Sequence, residues 1–208
     1  MKGIFITFEG IEGAGKSTQA KKLYEFLKSK DHKVLLTREP GGTKTGKKIR
    51  EILLTPTDEI FPPFAELFLY EADRSFHIEN VIKPNINSGF IVICDRFIDS
   101  TLAYQGYARG LDIKIVKQLN NLATGGLKPD ITFLIDIPVE EGLKRIKEKR
   151  GFDRIEQEDL EFHKRLREGF LHIAKEEKDR VVILNGLKSE KQIFNQILKV
   201  LKEKSILK

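Results

Sequence analysis

Ile4-Phe5-Ile6-Thr7-Phe8-Glu9-Gly10-Ile11-Glu12-Gly13-Ala14-Gly15-Lys16-Ser17-Thr18-Gln19-Ala20 decides the architecture of this 208-residue chain. From Ile4 to Phe8 the residues are apolar almost without interruption, as in a strand whose sheet is covered on both faces. From Gly10 to Ser17 they match G-x-x-x-x-G-K-[ST] at each fixed position. Beyond Lys16, the residues Ala20, Leu23, Tyr24 and Leu27 form an apolar stripe at helical spacing on a segment otherwise coated with Lys and Glu. A strand, a glycine-rich turn and a sheet-packed helix therefore follow one another.

That order makes a phosphate cradle. Gly10, Gly13, Ala14 and Gly15, with Glu12 among them, let backbone N–H groups turn inward around a β-phosphate. The helix opening at Lys16, Ser17 and Thr18 presents its positive end to the same anion. The Lys16 ammonium reaches the β and γ oxygens of a bound ATP, and the Ser17 hydroxyl is the Mg²⁺ ligand.

Four further apolar runs of strand type follow: Lys33 to Thr37, Phe90 to Cys94, Ile131 to Ile135 and Val181 to Leu184. Segments of helical periodicity separate them, and in the last of these Ile193, Ile197, Val200 and Leu201 share one face. Right-handed crossovers between parallel strands give an α/β, doubly wound, five-stranded parallel sheet flanked by helices, with ligands beyond the carboxyl ends of the strands. A chain of 208 residues is long enough for one substantial core, so residues 1–208 are expected to form a single domain.

Composition narrows the classes further. The apolar fraction is 40% and the charged fraction 33%, as in globular proteins. Net charge is +6, but lysines interleave with glutamates along the helical segments, which argues for a solvated surface and against a nucleic-acid or membrane partner. No apolar run has the length of a membrane span, and no signal peptide opens the chain, so a cytoplasmic location is expected. Cys94 has no second cysteine to pair with and sits within an apolar run.

The other strand ends carry chemistry. The third ends in Cys94-Asp95-Arg96, which places Asp95 on the Mg²⁺ hydration shell and Arg96 between donor and acceptor phosphates. The second ends in Thr37-Arg38-Glu39-Pro40-Gly41-Gly42, a guanidinium beside a rigid turn, suited to a second anionic ligand.

Together these segments resemble the thymidylate kinases, which are P-loop nucleoside monophosphate kinases. The resemblance also takes in Tyr70 to Arg74, Ser100 to Gly106, Lys128-Pro129-Asp130 and Asp153 to Glu156. It implies a fold of that type, transfer of a phosphoryl group from ATP to dTMP, and a homodimer formed through sheet-covering helices. It also implies that Tyr70 stacks on thymine, that Arg74 donates to a base oxygen, and that Arg38, Arg50 and Arg96 hold the acceptor phosphate. By the same resemblance Glu9 faces the sugar 3′-hydroxyl, Tyr104 lies under the deoxyribose, and Thr101 and Gln105 complete the contacts. The basic run within a mobile lid at about 142–155 resembles the bacterial type, with Arg145 and Arg150 as its cations and Lys149 in reserve. A guanine-reading Asn-Lys-x-Asp segment, the mark of GTP-dependent switches, does not occur.

Overall fold

A computed structural model describes residues 3–148 and 153–206. Five strands, β1 (Ile4–Glu9), β2 (Val34–Arg38), β3 (Ile91–Asp95), β4 (Ile131–Asp136) and β5 (Val181–Asn185), pair in parallel in the order β2-β3-β1-β4-β5. Each strand runs one residue beyond its apolar stretch and ends on a polar residue: Glu9, Arg38, Asp95, Asp136 and Asn185. The carboxyl edge of the sheet is thereby a polar rim above an apolar core.

The central strand has both faces covered, since Phe5, Ile6, Thr7 and Phe8 are all at or below 1% exposure. Expected burial of all five strands holds for the three inner ones. The edge strands β2 and β5 are only partly covered, because each has a neighbour on one side. Helix α1 (Lys16–Lys28) buries Ala20, Leu23 and Leu27 against the sheet. After β2 come α2 (Lys44–Leu54) and α3 (Pro63–His77), which continues through a π-helical turn, Ile78–Ile82, into α4 (Lys83–Asn87). After β3, α5 (Ile98–Thr101) passes into a second π-helical segment, Leu102–Ala108, followed by α6 (Ile113–Thr124). Helices α7 (Val139–Lys147) and α8 (Leu160–Glu176) lie between β4 and β5, and α9 (Glu190–Glu203) follows β5.

The periodicity in the last segment is that of a docked helix. Ile193, Ile197 and Leu201 of α9 are buried, and Phe194 meets Phe26 of α1 edge-on at 5.9 Å. Its first turn is closed by a reciprocal cap in which the Ser189 side chain accepts from Gln192 N–H and the Gln192 side chain accepts from Ser189 N–H. Ser189→Ala is expected to cost about 1 kcal/mol, read as a lower urea midpoint with an unchanged slope.

One close approach ties the cradle to α7. A Cβ on Gly13 would lie 2.3 Å from the Gly142 carbonyl oxygen, and one on Gly142 would lie 2.6 Å from the Glu12 carbonyl oxygen. Two glycines distant in sequence thus let the phosphate loop rest on the start of the segment expected to be a lid. Within the expected 142–155 stretch, Gly142 to Lys147 are ordered as the end of α7.

Candidate active site

Beyond the carboxyl ends of β1, β2 and β3 lies a cleft of about 340 Å³. One end is walled by the phosphate loop and α1, the other by the turn after β2 and by Tyr70 of α3. Its lining includes Glu12, Gly13, Gly15, Lys16, Ser17, Thr18, Arg38, Arg50, Tyr70, Arg74, Asp95, Arg96, Thr101, Tyr104, Gln105 and Arg145. Expected residues separated by up to 133 positions in the chain, Glu12 and Arg145, therefore face one space.

At the phosphate end, Gly10, Gly13 and Gly15 have positive φ angles of 135°, 73° and 95°, conformations that L side chains rarely adopt. Ala14 is buried behind them. Lys16 is 7% exposed, and its Nζ donates to the Ile11 carbonyl at 2.7 Å. Burial, reinforced by the Arg96 charge, lowers its pKa to about 8 despite the Asp95 and Glu12 carboxylates nearby. The Ser17 hydroxyl donates to Asp95 Oδ2, while Asp95 Oδ1 is buried and has no hydrogen-bond partner among the described residues. A hydroxyl beside a half-satisfied carboxylate is a donor set that would suit a hydrated Mg²⁺.

Arg96 is the centre of the site. Its φ of 74° is left-handed, a conformation that costs a non-glycine residue on the order of 1–2 kcal/mol. The bend turns the chain sharply out of β3 and directs the guanidinium across the phosphate loop. Nη1 donates to the Gly10 carbonyl at 3.2 Å and to Ser100 Oγ at 3.1 Å, and Nη2 donates to Glu12 Oε1 at 3.0 Å. The guanidinium also lies 5.0 Å from the centre of the Tyr104 ring, whose hydroxyl donates to Glu12 Oε1 as well. Burial opposes the Glu12 charge, but Arg96, Lys16 and the Tyr104 hydroxyl outweigh it and hold this carboxyl below the usual range. Glu12, expected with the triphosphate contacts, thus turns its side chain toward Arg96 and Tyr104.

Glu9 takes a different place from the one expected. It is 1% exposed and lies beneath the lining; Oε1 accepts from Phe97 N–H at 2.7 Å and Oε2 from the Ser100 hydroxyl at 2.6 Å. Both oxygens are engaged with the turn that carries Arg96, so in this arrangement they face protein instead of cleft. Burial, with the Asp99 carboxylate adding to it, pushes the Glu9 carboxyl up to about 8. A carboxyl with a raised folded-state pKa holds more protons than its unfolded counterpart between about pH 4.5 and 8, so its contribution to stability falls as pH rises through that window. Glu9→Gln is expected to flatten the decline of Tm between pH 5 and 8; an unchanged slope in a melting series would assign the decline to another group.

Arg74 is also more engaged than its sequence position suggests. Nε donates to Glu39 Oε2 at 2.9 Å, Nη1 to Glu71 and Asn120 at 3.0 and 2.7 Å, and Nη2 to the Phe97 carbonyl at 3.2 Å, while Nη2 also forms an ion pair with Glu39 Oε2 at 2.9 Å. Each of its three nitrogens thus has a protein acceptor, and a base oxygen would have to share or replace one of these. Glu39 in turn meets His77 Nδ1 at 2.9 Å, and Asp73 Oδ1 accepts from Gly41 N–H at 3.1 Å. This buried network fixes the turn after β2, in which the Glu39-Pro40 peptide is cis. Arg38 projects exposed from the turn, and Arg50 donates to the Pro40 carbonyl at 3.0 Å. Arg38 makes no ion pair among the described residues. Burial and the neighbouring Arg38 charge both lower the Arg50 pKa, as expected of two cations placed together for an anion.

The remaining expectations are placed as follows. Thr101 and Gln105 are each 1% exposed and form the floor, Tyr104 is held edge-on by Phe162 and Phe170, and Tyr70 stands on the wall. Arg145 reaches the carbonyls of Gly13 and Gly186 at 3.4 Å and pairs with Glu141 at 2.7 Å. Lys149 and Arg150 lie outside the described residues. Sequence reasoning missed Ser100, which bridges Arg96 and Glu9, and Glu66, which stands one helical turn before Tyr70 and holds the Gln105 side chain. That i, i+4 spacing from Tyr70 was the signal available for Glu66.

Comparison with known proteins accords with this geometry. The family model described as thymidylate kinase matches residues 8–197. The thymidylate kinase of Sulfurihydrogenibium sp. (strain YO3AOP1) is 59% identical over 205 residues, covering 99% of this chain and 100% of the relative. That of Carboxydothermus hydrogenoformans is 50% identical, with 95% and 96% coverage. The crystal structure of thymidylate kinase from Ehrlichia chaffeensis superimposes with a TM-score of 0.80 at 38% identity, over 97% of this chain and 99% of the other. The family match spans the cradle, the Arg96 turn and the wall bearing Tyr70 alike: this chain belongs to the thymidylate kinase family.

Proposed function

We infer that this protein transfers the γ-phosphoryl group of ATP to dTMP, giving dTDP and ADP, as a step of cytoplasmic dTTP synthesis. The observation that carries the reading is the Arg96 guanidinium, set in one cleft between the Lys16 cradle and the Arg38–Arg50 pair. A phosphate acceptor is already anionic at neutral pH, so the site needs alignment and charge neutralisation more than a general base. Lys16 holds the β and γ oxygens, Arg38 and Arg50 hold the acceptor phosphate, and Arg96 leaves Glu12 to meet the group in transfer. Tyr70 stacks on the base, Thr101 and Gln105 complete its contacts, and Tyr104 underlies the sugar. Ser17 and Asp95 would hold Mg²⁺, which when bound neutralises charge on the β and γ oxygens.

Residues 1–208 act as one kinase domain in which 142–155 close as a lid, with Arg145 and Arg150 bringing cations to the phosphates and closure excluding water. A homodimer fits the surface. Phe64, Phe68 and Phe76 of α3 are 43%, 56% and 45% exposed, the Phe64 and Phe68 rings are 6.0 Å apart, and Ile52 of α2 and Leu122 of α6, helices that pack on α3, are exposed as well; exposed apolar side chains of this kind mark subunit interfaces. No helix among the described residues is long and apolar enough to cross a membrane.

The test is ADP release from ATP and Mg²⁺ with thymidine, dTMP, dUMP, AMP, GMP or CMP supplied in parallel. Release that depends on dTMP and is absent with thymidine supports the reading. Release with thymidine, or hydrolysis without an acceptor, overturns it.

A further inference from the structure

Glu66 is 1% exposed on α3, and its carboxylate takes four hydrogen bonds. Oε1 accepts from Gln105 Nε2 at 2.8 Å and Arg109 Nε at 3.1 Å; Oε2 accepts from Arg109 Nη2 at 3.1 Å and Arg154 Nη2 at 2.5 Å. Burial opposes the charge, and the two guanidiniums with the Gln105 amide reverse that, so the carboxyl stays below its ordinary range.

These donors come from separate parts of the molecule. Gln105 is on the cleft floor, whereas Arg154 does not line the cleft. Arg154 belongs to the limb that returns from the lid region to α8. There its Nε donates to the Leu53 carbonyl at 2.7 Å, its backbone N–H donates to the Leu54 carbonyl at 3.1 Å, and its guanidinium lies 4.0 Å from the Phe61 ring centre. Arg109 closes the circuit by pairing with Glu158 of the same limb at 2.5 Å. Ile155 and Glu156, between these anchors, form part of the cleft wall. One buried carboxylate therefore joins the floor under the acceptor to the limb from which the lid departs.

We propose that Glu66 is a positioning residue for the acceptor nucleotide: it fixes the Gln105 amide for the base and clamps the return limb of the lid in register with that floor. The inference rests on the reading of this cleft as a dTMP site. Two anionic oxygens hold four donors in one geometry. A glutamine at this position offers one acceptor oxygen and turns an amide N–H group toward the donors on the other side, so Arg109 loses one of its two acceptors and either Arg154 or Gln105 loses its own. Among the described residues no hydrogen bond or ion pair joins the side chains of Glu66, Gln105, Arg109 or Arg154 to the phosphate loop.

The experiment is steady-state kinetics of the full-length protein and of Glu66→Gln and Arg154→Gln, varying dTMP and ATP separately, with melting curves for each. Glu66→Gln is expected to raise KM for dTMP about tenfold and leave KM for ATP within about twofold, and Arg154→Gln, whose side chain does not line the cleft, to move KM for dTMP in the same direction by about threefold. Glu66→Gln combined with Gln105→Ala should raise KM for dTMP by less than the product of the single effects. A purely structural role would lower Tm and affect both substrates alike or neither. That pattern, or multiplicative effects in the double variant, overturns the inference. If Glu66→Gln does not fold, Arg154→Gln decides alone, and an unchanged KM for dTMP overturns the inference. Absence of dTMP-dependent ADP release from the parent protein overturns both the dTMP reading and the inference, whereas a fully active parent with unaltered variants overturns the inference alone.

Discussion

Arg96→Ala is expected to lower kcat/KM for dTMP by about 10²–10³. The guanidinium is the cation placed between the two ends of the cleft, and its present partners, the Gly10 carbonyl, Ser100 and Glu12, are groups it can leave when phosphates arrive. Removing it also leaves Glu12 partly buried without its ion-pair partner, so the single variant should lose stability as well. Two measurements separate these losses. Kinetics well below the variant's Tm report the catalytic effect, and Arg96→Ala with Glu12→Gln should recover much of the Tm but none of the turnover. A double variant that regained turnover would show that Arg96 acts by holding the loop and not by meeting the phosphoryl group.

Lys16→Met should reduce kcat by about 10²–10³ while leaving Tm unchanged or raised. Lys16 is a buried cation with its pKa lowered to about 8 by burial and by Arg96, so its charged form is disfavoured in the folded protein. Methionine of similar length removes that unfavourable charge and fills the same space, and function is lost where stability is gained. The sign of the pH effect follows. Between about pH 8 and 10.5 the unfolded chain holds the proton that folded Lys16 has released, so this group's contribution to stability rises with pH there. Activity runs the other way, since kcat/KM for ATP reports the free enzyme and should decline above about pH 8 as Lys16 becomes neutral. The methionine variant should lack both limbs; a decline that persists in it belongs to another group.

The cradle was legible because its chemistry is local. Strand, glycine turn and helix N-terminus are consecutive, and positive φ at Gly10, Gly13 and Gly15 needs only glycine. The acid and the arginine after β3 were legible for the same reason, as was the order of strands and helices. The partners of Glu9 were not legible because a strand-end carboxylate can point into the cleft or under it, and the choice depends on where Phe97 N–H and Ser100 arrive from across the sheet. The engagement of Arg74 was invisible for a similar reason, since its acceptors at Glu39, Asn120 and Phe97 come from three other segments.

The amino-acid sequence by itself determined the element order, the parallel sheet, the phosphate end of the cleft and the family, since each follows from apolar periodicity or from residues adjacent along the chain. Tertiary structure alone decided which partners the charged groups take: Glu12 with Arg96 and Tyr104, Glu9 with the Arg96 turn, and Glu66 with Gln105, Arg109 and Arg154. The physical reason is range. Periodicity and turn chemistry act over a few residues, whereas a buried charge is stable only beside its counterpart, and packing alone brings together groups as far apart in the chain as Glu66 and Arg154.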